Sequence, residues 1–345
     1  MNAFSPVSGL AVRTAEASDL PRIRAFPGAE LFHRPEWSRA VEQGCRQRSH
    51  YLIAESADGG LAGILPLTEM RSPLFGSALV SAGFGVGGGI LSSSDEAVEA
   101  LAEAAWALAQ RLGCSSVELR GGQLPTSWER KEGTYAGFAR DLPADDDAIL
   151  KSVPRKQRAE VRRAQGLGFD VSIGRAPADR DAHYRVYSES VRNLGTPVFP
   201  RALFEAMLNA FGDDADILTV RHNDAPVASV LSFYHQGTVY PYWGGGTHAA
   251  RTLRANEHMY FELMRHAARR GCTRFDFGRS KVGTGAYSYK KNWGFDPQPL
   301  AYAVKGEARE TNPLSPKYRL QVALWQKLPL SIANLLGPPI ARGLG

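Results

Sequence analysis

Asp276, Arg279, Lys281, Lys290 and Lys291 crowd into one stretch, FDFGRSKVGTGAYSYKKNWGF, which also carries Tyr287, Tyr289 and Trp293. A carboxylate at Asp276 can orient an amine nucleophile or take its proton. A lysine set among aromatics, Lys290, can stabilise an oxyanion or a leaving phosphate. Arg279 can hold a carboxylate or phosphate through a bidentate contact. The plainer alternative is an Asp276–Arg279 ion pair that fixes a loop, beside a strand whose aromatics pack the core while its lysines reach solvent. A second basic group lies upstream. Lys151–Arg163 holds six cations against one acid, Glu160, and Arg155, Arg158 and Arg162 share a helical face at i, i+3 and i+7. That face suits a phosphate clamp or an ordinary solvated surface.

The turn Gly244-Gly245-Gly246 comes between these groups, preceded by Tyr240, Tyr242 and Trp243 and followed by Arg251, Arg254 and Asn256. Glycines before a helix start let backbone N–H groups approach an anion. No GxGxxG and no Walker lysine accompanies them. Tyr242 reads either as core or as the wall of an acceptor groove. The candidate set is therefore Asp276 and Lys290 as catalytic groups, with Arg158, Arg162, Tyr242, Asn256, Arg279 and Trp293 around the substrate. Neither a metal cluster nor a covalent nucleophile is expected, because no HExxH, CxxC or Gx[SC]xG occurs.

The elements that must position these residues are stated twice. Gly87-Gly88-Gly89 and Gly113-Cys114 match Gly244-Gly245-Gly246 and Gly271-Cys272, the latter pair at an offset of 158. The same offset sets Glu118 against Asp276. Leu52–Leu65 reads as strand, turn, strand around Asp58-Gly59-Gly60, and Ile217–Leu231 repeats it around Asn223-Asp224. Each copy predicts a helix, a β-hairpin, a third strand ending at the glycines, an amphipathic helix and a closing strand. Because the glycine turns occur in both copies, they belong to the fold. The first copy ends in Glu118 and Arg120 without the lysines that follow Arg279. The expected class is α/β (α+β), with a scaffold domain at 1–145, an active domain at 146–310 and a basic amphipathic tail at 311–345.

The bulk numbers bound the rest. With 345 residues, 43% hydrophobic and 22% charged, the chain suits about two globular domains. A net charge of +6 and pI near 9.2 suit an anionic partner. Three dispersed cysteines argue for a reducing compartment, the N-terminus lacks the pattern of a signal peptide, and no 18-residue apolar run occurs. A cytoplasmic location is expected, with the tail (Lys317, Arg319, Lys327, Trp325 and several leucines) either docked on the second domain or placed at the inner membrane face.

The segments RKQRAEVRRA, NLGTPVFP, ANEHMYFELMRHAARRG, FDFGRSKVGTGAYSYKKNWGF, NPLSPKY and WQKLPLSIANLLGP resemble the FemAB-related proteins associated with the PEP-CTERM/exosortase system. The resemblance runs over nearly the whole chain. It implies tandem duplicated GNAT-like N-acyltransferase domains, matching the internal repeat. The wider Fem family moves amino acids from aminoacyl-tRNA to the peptide of a lipid-linked peptidoglycan precursor, and single-domain relatives use acyl-CoA. The resemblance thus implies an acyl or aminoacyl transferase that forms an amide on an amine acceptor. The co-substrate would be acyl-CoA or aminoacyl-tRNA with no bound cofactor, and the setting envelope or exopolysaccharide synthesis. The GNAT pyrophosphate motif is not matched after Trp243, and the long helical arm of some Fem ligases has no counterpart. The competing class is a non-catalytic binding module for a lipid-linked saccharide or a partner protein. A third reading is RNA binding through the basic helix.

Overall fold

The computed structural model describes residues 9–307, 309 and 318–345. It divides into two compact units. The first comprises Met1–Gly133, Leu300–Asn312 and Pro339–Gly345; the second comprises Thr134–Pro299 and Pro313–Pro338. The boundary expected at 145/146 thus falls inside the second unit.

The first half of the chain supplies β1 (Ala11–Thr14), α1 (Leu20–Arg24), α2 (Pro35–Cys45), β2 (Arg48–Glu55), β3 (Leu61–Ser72), β4 (Gly76–Ser81), β5 (Leu91–Ser92), α3 (Asp95–Leu112) and β6 (Ser116–Arg120). Then follow β7 (Glu129–Asp141), α4 (Asp146–Ser152), α5 (Arg155–Gln165), β8 (Asp170–Gly174), α6 (Pro177–Asn193), α7 (Arg201–Phe211), β9 (Ala215–His222), β10 (Ala225–His235) and β11 (Thr238–Gly246). The chain continues through α8 (His248–Leu253), α9 (Ala255–Arg269), β12 (Arg274–Lys281), α10 (Gly285–Asn292), β13 (Gln298–Gly306), α11 (Arg319–Lys327) and α12 (Leu330–Ala341).

In the first unit the strands run β1-β2-β3-β4-β6-β13, and in the second β7-β12-β11-β10-β9-β8. The closing strands are exchanged relative to sequence. β7, which follows the first copy, pairs antiparallel with β12, and β13, which follows the second copy, pairs antiparallel with β6. The repeat itself is present: α2-β2-β3-β4-α3-β6 corresponds to α7-β9-β10-β11-α9-β12.

Hydrophobic burial explains each unit. In the first, Leu52, Leu65, Leu67 and Leu79 pack with Leu101, Ala105 and Leu108 on the inward stripe of α3. In the second, Val220, Val230, Val239, Phe275 and Phe277 pack with Met259, Leu263 and Ala267 of α9. The three cysteines are free and buried.

Three local expectations change. The glycines end the third strand only in the second copy; in the first, β4 ends at Ser81 and Gly87–Gly89 follow in a loop. They are required there by close approach, since a Cβ on Gly89 would lie 1.9 Å from the Gly121 carbonyl oxygen. The single basic helix over Lys151–Arg163 is two helices, α4 and α5. Pro154 forces the preceding Val153 into extended backbone (ψ 134°). Finally, 285–292 is helix α10 and not a strand. The Thr284 hydroxyl caps it by accepting from the Tyr287 N–H at 3.3 Å.

Candidate functional site

The second unit contains a place where its sheet opens. β11 and β12 are parallel and pair at only two positions, Thr238 with Arg274 and Val239 with Phe275. Beyond these, β11 stays with β10 as far as Gly246, while β12 turns to β7. The strands therefore part at their C-terminal ends, where ligands bind in open α/β sheets.

Asp276 is the first β12 residue past the last pair. Its neighbours Phe275 and Phe277 are buried in the core, so pleat alternation turns its side chain to the other face. Between Asp276 and Arg279 the register with β7 shifts, and Gly278 adopts φ +67°. This is a β-bulge whose left-handed residue favours glycine. The Asp276 carboxylate accepts from the Gly278 N–H at 2.7 Å. Arg279 lies over the Tyr135 ring, 4.9 Å from its centroid.

Lys290 reaches this bulge from α10. Its ammonium donates to the carbonyls of Phe277 (2.7 Å), Gly278 (3.2 Å) and Arg279 (2.9 Å). Three hydrogens meet three carbonyls, a set that fits the protonated form. Burial acts the other way and pushes the pKa down to about 7, opposed by the nearby Asp276 carboxylate. The structure thus brings Asp276, Arg279 and Lys290 together at one bulge.

On the β11 side, Gly244 lies beside the Tyr260 hydroxyl, which a Cβ there would approach to 3.3 Å. The Tyr260 ring in turn packs on Phe277 at 4.8 Å, on Tyr289 at 6.0 Å and on Trp293 at 6.2 Å. Tyr260 therefore fills the base of the gap between β11 and β12. Burial raises its phenol to about 12 and raises Tyr289 well above the ordinary value. Asn256 lies in the first turn of α9, where its side chain would touch a Cβ placed on Gly246. The Asn256 Oδ1 and the Thr247 Oγ1 are buried and find no hydrogen-bond partner among the described residues. Buried polar atoms are normally satisfied, so these two, beside Gly246 at the end of β11, mark a place where a polar ligand would gain.

The remaining candidates separate from this group. Trp293 is fully buried in the core, so it is not a groove wall; at i+4 from Tyr289 it packs inward under α10. Arg158 donates to the carbonyls of Val153 (3.2 and 2.9 Å) and Lys151 (2.8 Å), which ties the α4–α5 turn. Its guanidinium is engaged there and not in an open phosphate clamp. Arg162 is exposed on α5. Tyr242 is half-buried and packs edge-on against Trp243 at 4.8 Å and Phe233 at 5.9 Å.

Sequence reasoning passed over Glu257 and Tyr260. Burial raises the Glu257 carboxyl above its ordinary value, in the first turn of α9 just after the N-cap Arg254. The available signal was spacing: Glu257 and Tyr260 lie at i and i+3 with the buried Phe261 and Met264. A carboxylate on the inward stripe of an amphipathic helix is unusual.

Residues 151–291 match the model of an acetyltransferase (GNAT) domain. The match contains β11, β12, α9 and the bulge. Among solved structures the chain is similar to FemX, with a TM-score of 0.63 and 15% identity over 84% of this chain and 96% of that one. It is also similar to L-PGS from Bacillus licheniformis (TM-score 0.54, 14% identity, 91% and 98% covered). A tandem GNAT protein from the clavulanic acid biosynthesis pathway gives a TM-score of 0.55 at 12% identity, with 86% and 98% covered. No curated protein matches the chain. The fold is mixed α/β and is that of tandem GNAT-like proteins.

Proposed function

We propose that the second unit is the active domain of an acyl or aminoacyl transferase that forms an amide on an amine acceptor. The observation that carries this reading is the parting of β11 from β12 inside the segment that matches a GNAT acetyltransferase domain, with Asp276 at the point of divergence. Asp276 orients the attacking amine and receives its proton. The amine nitrogen bonds to the acyl carbonyl carbon, the carbonyl oxygen becomes an oxyanion, and its collapse breaks the bond to the donor's leaving oxygen or sulfur. Lys290, whose three N–H groups are taken by the bulge carbonyls, holds the bulge that presents Asp276 and would act on the oxyanion only through its charge. Arg279, Tyr242, Asn256 and the exposed Arg162 are assigned to substrate contact. Much of the acceleration would come from holding both reactants in one gap.

Acyl-CoA and aminoacyl-tRNA are the two candidate donors. The acceptor class we assign is a lipid-linked amine of the cell envelope or of exopolysaccharide synthesis, in keeping with the resemblance to FemAB-related proteins of the PEP-CTERM system. The test supplies purified protein with each donor pool in turn plus membrane extract, and follows donor loss and acceptor mass by mass spectrometry. Consumption of one donor by the wild type, lost in Asp276→Asn, supports the reading. Consumption of neither donor sinks it.

A further inference from the structure

The tail helices α11 and α12 belong to the second unit up to Pro338. They pack on it with one face only. Gly195 meets Val322, Arg192 donates to the carbonyls of Gln326 and Leu328, Asn334 donates to the Ser188 hydroxyl, and Gly337 lies against Val198. The other face is apolar and open to solvent. On α11, Leu320 and Leu324 stand at i and i+4, 70% and 58% exposed. On α12, Ile332, Leu335 and Leu336 stand at i, i+3 and i+4, 42%, 75% and 45% exposed. Leu194, next to the Gly195 that carries α11, is 64% exposed. A surface helix ordinarily turns such a stripe inward. Here α12 turns Ala333 and Gly337 inward and its large side chains outward.

Charge identifies what covers this face. From Thr311 to Gly345 the sequence has four cations and no acid. Arg319 and Lys327 are exposed on α11 beside Leu320 and Leu324, while Lys317 lies outside the described residues. A second copy of the chain is disfavoured, because a two-fold contact would set this basic patch against itself. An anionic surface that is apolar beneath its charges satisfies both halves of the pattern.

We propose that α11 and α12 form a docking face for an anionic phospholipid bilayer, with the leucines and Ile332 entering the headgroup boundary and Arg319 and Lys327 pairing with lipid phosphates. No helix among the described residues is long and apolar enough to cross a membrane, so the contact is peripheral. The proposal is read by binding and not by turnover, so its outcome is separate from that of the transferase reading.

The experiment is co-sedimentation with vesicles of phosphatidylglycerol and phosphatidylcholine, and with phosphatidylcholine alone, at low and high salt. The wild-type chain should bind the anionic vesicles, and binding should weaken as salt rises. Leu324→Glu with Leu335→Glu should lower the partition coefficient roughly tenfold or more. Both positions are exposed, so the melting temperature should hold. Arg319→Glu with Lys327→Glu should remove the preference for anionic vesicles. Unchanged sedimentation of the leucine double variant overturns the proposal, as does failure of the wild type to bind anionic vesicles. Light scattering that shows a dimer broken by Leu335→Glu also overturns it, by assigning the face to a second copy.

Discussion

Each unit joins one pair of parallel strands for two residue pairs and then lets them part. In the first unit β4 and β6 pair at Leu79 with Val117 and Val80 with Glu118. What lies beyond is closed. The Arg120 N–H donates to the Ser81 hydroxyl at 2.7 Å, and Glu118 pairs with Arg120 at 2.6 Å. Phe84 lies against Gly345, whose carbonyl accepts from Arg309 at 3.1 Å. Ser81, Phe84 and Arg120 are all buried. In the second unit the corresponding place holds the bulge and the Asp276 carboxylate, and beside Gly246 two buried polar atoms, Thr247 Oγ1 and Asn256 Oδ1, without partners among the described residues. The same topology thus supplies a gap twice. Whether the gap is a site depends on which side chains close it.

The largest effect expected from this comparison is kinetic. Asp276→Asn should lower turnover by roughly 10²–10⁴-fold, whereas Glu118→Gln, at the equivalent position, should leave turnover unchanged. Steady-state transfer assays on folded protein read both, and equal losses would break the comparison.

Next comes Trp293→Ala, which should destabilise by about 3–5 kcal/mol in denaturant titration, because the indole is fully buried. A loss no larger than that of a surface truncation would return Trp293 to the groove.

The two units also differ in their buried histidines. In the first, His33 has both ring nitrogens within hydrogen-bond reach of the Glu30 N–H and the Gly89 carbonyl. In the second, His183 has Ser229 at 3.0 Å on Nδ1 and no partner for Nε2 among the described residues. Burial lowers the His183 pKa from 6.5 to about 3. Between these values the unfolded chain binds a proton that the folded chain refuses, so stability falls as pH drops below about 6.5. From pH 7 to about pH 4.5 the loss should be about 2–3 kcal/mol. Chemical denaturation of His183→Asn should show a flatter pH profile, and an identical profile would remove His183 from the account.

The smallest effect is at Arg158. Arg158→Ala removes donors to the Val153 and Lys151 carbonyls and should cost about 0.5–1.5 kcal/mol with donor affinity unchanged. A fall in donor affinity without loss of stability would reinstate the phosphate clamp.

Much of the fold was legible because it was written twice. The hairpins β2–β3 and β9–β10, the helices α3 and α9, and the strands β6 and β12 follow from alternation, helical spacing and turn residues, all local signals. The exchange of β7 and β13 was not legible. Pairing partners are set by long-range packing, and either strand suits either edge by composition. The break at Pro154 was legible in principle, since the residue before a proline resists helix, but the continuous run of cations masked it.

The proposed site could be read as residue types in one stretch. The chain order of Asp276, Arg279 and Lys290 placed a carboxylate and cations close together, and pleat alternation turned Asp276 away from Phe275 and Phe277. Sequence by itself determined the duplicated α/β pattern, the loaded second copy and the basic tail without acids. Only the tertiary structure decided that Lys290 meets three bulge carbonyls, that Trp293 is core, that Arg158 ties a turn and that the tail turns its leucines outward. The reason is geometric. A side chain's direction and its hydrogen-bond partners come from elements distant in sequence, and the spacing of residues along one segment does not encode them.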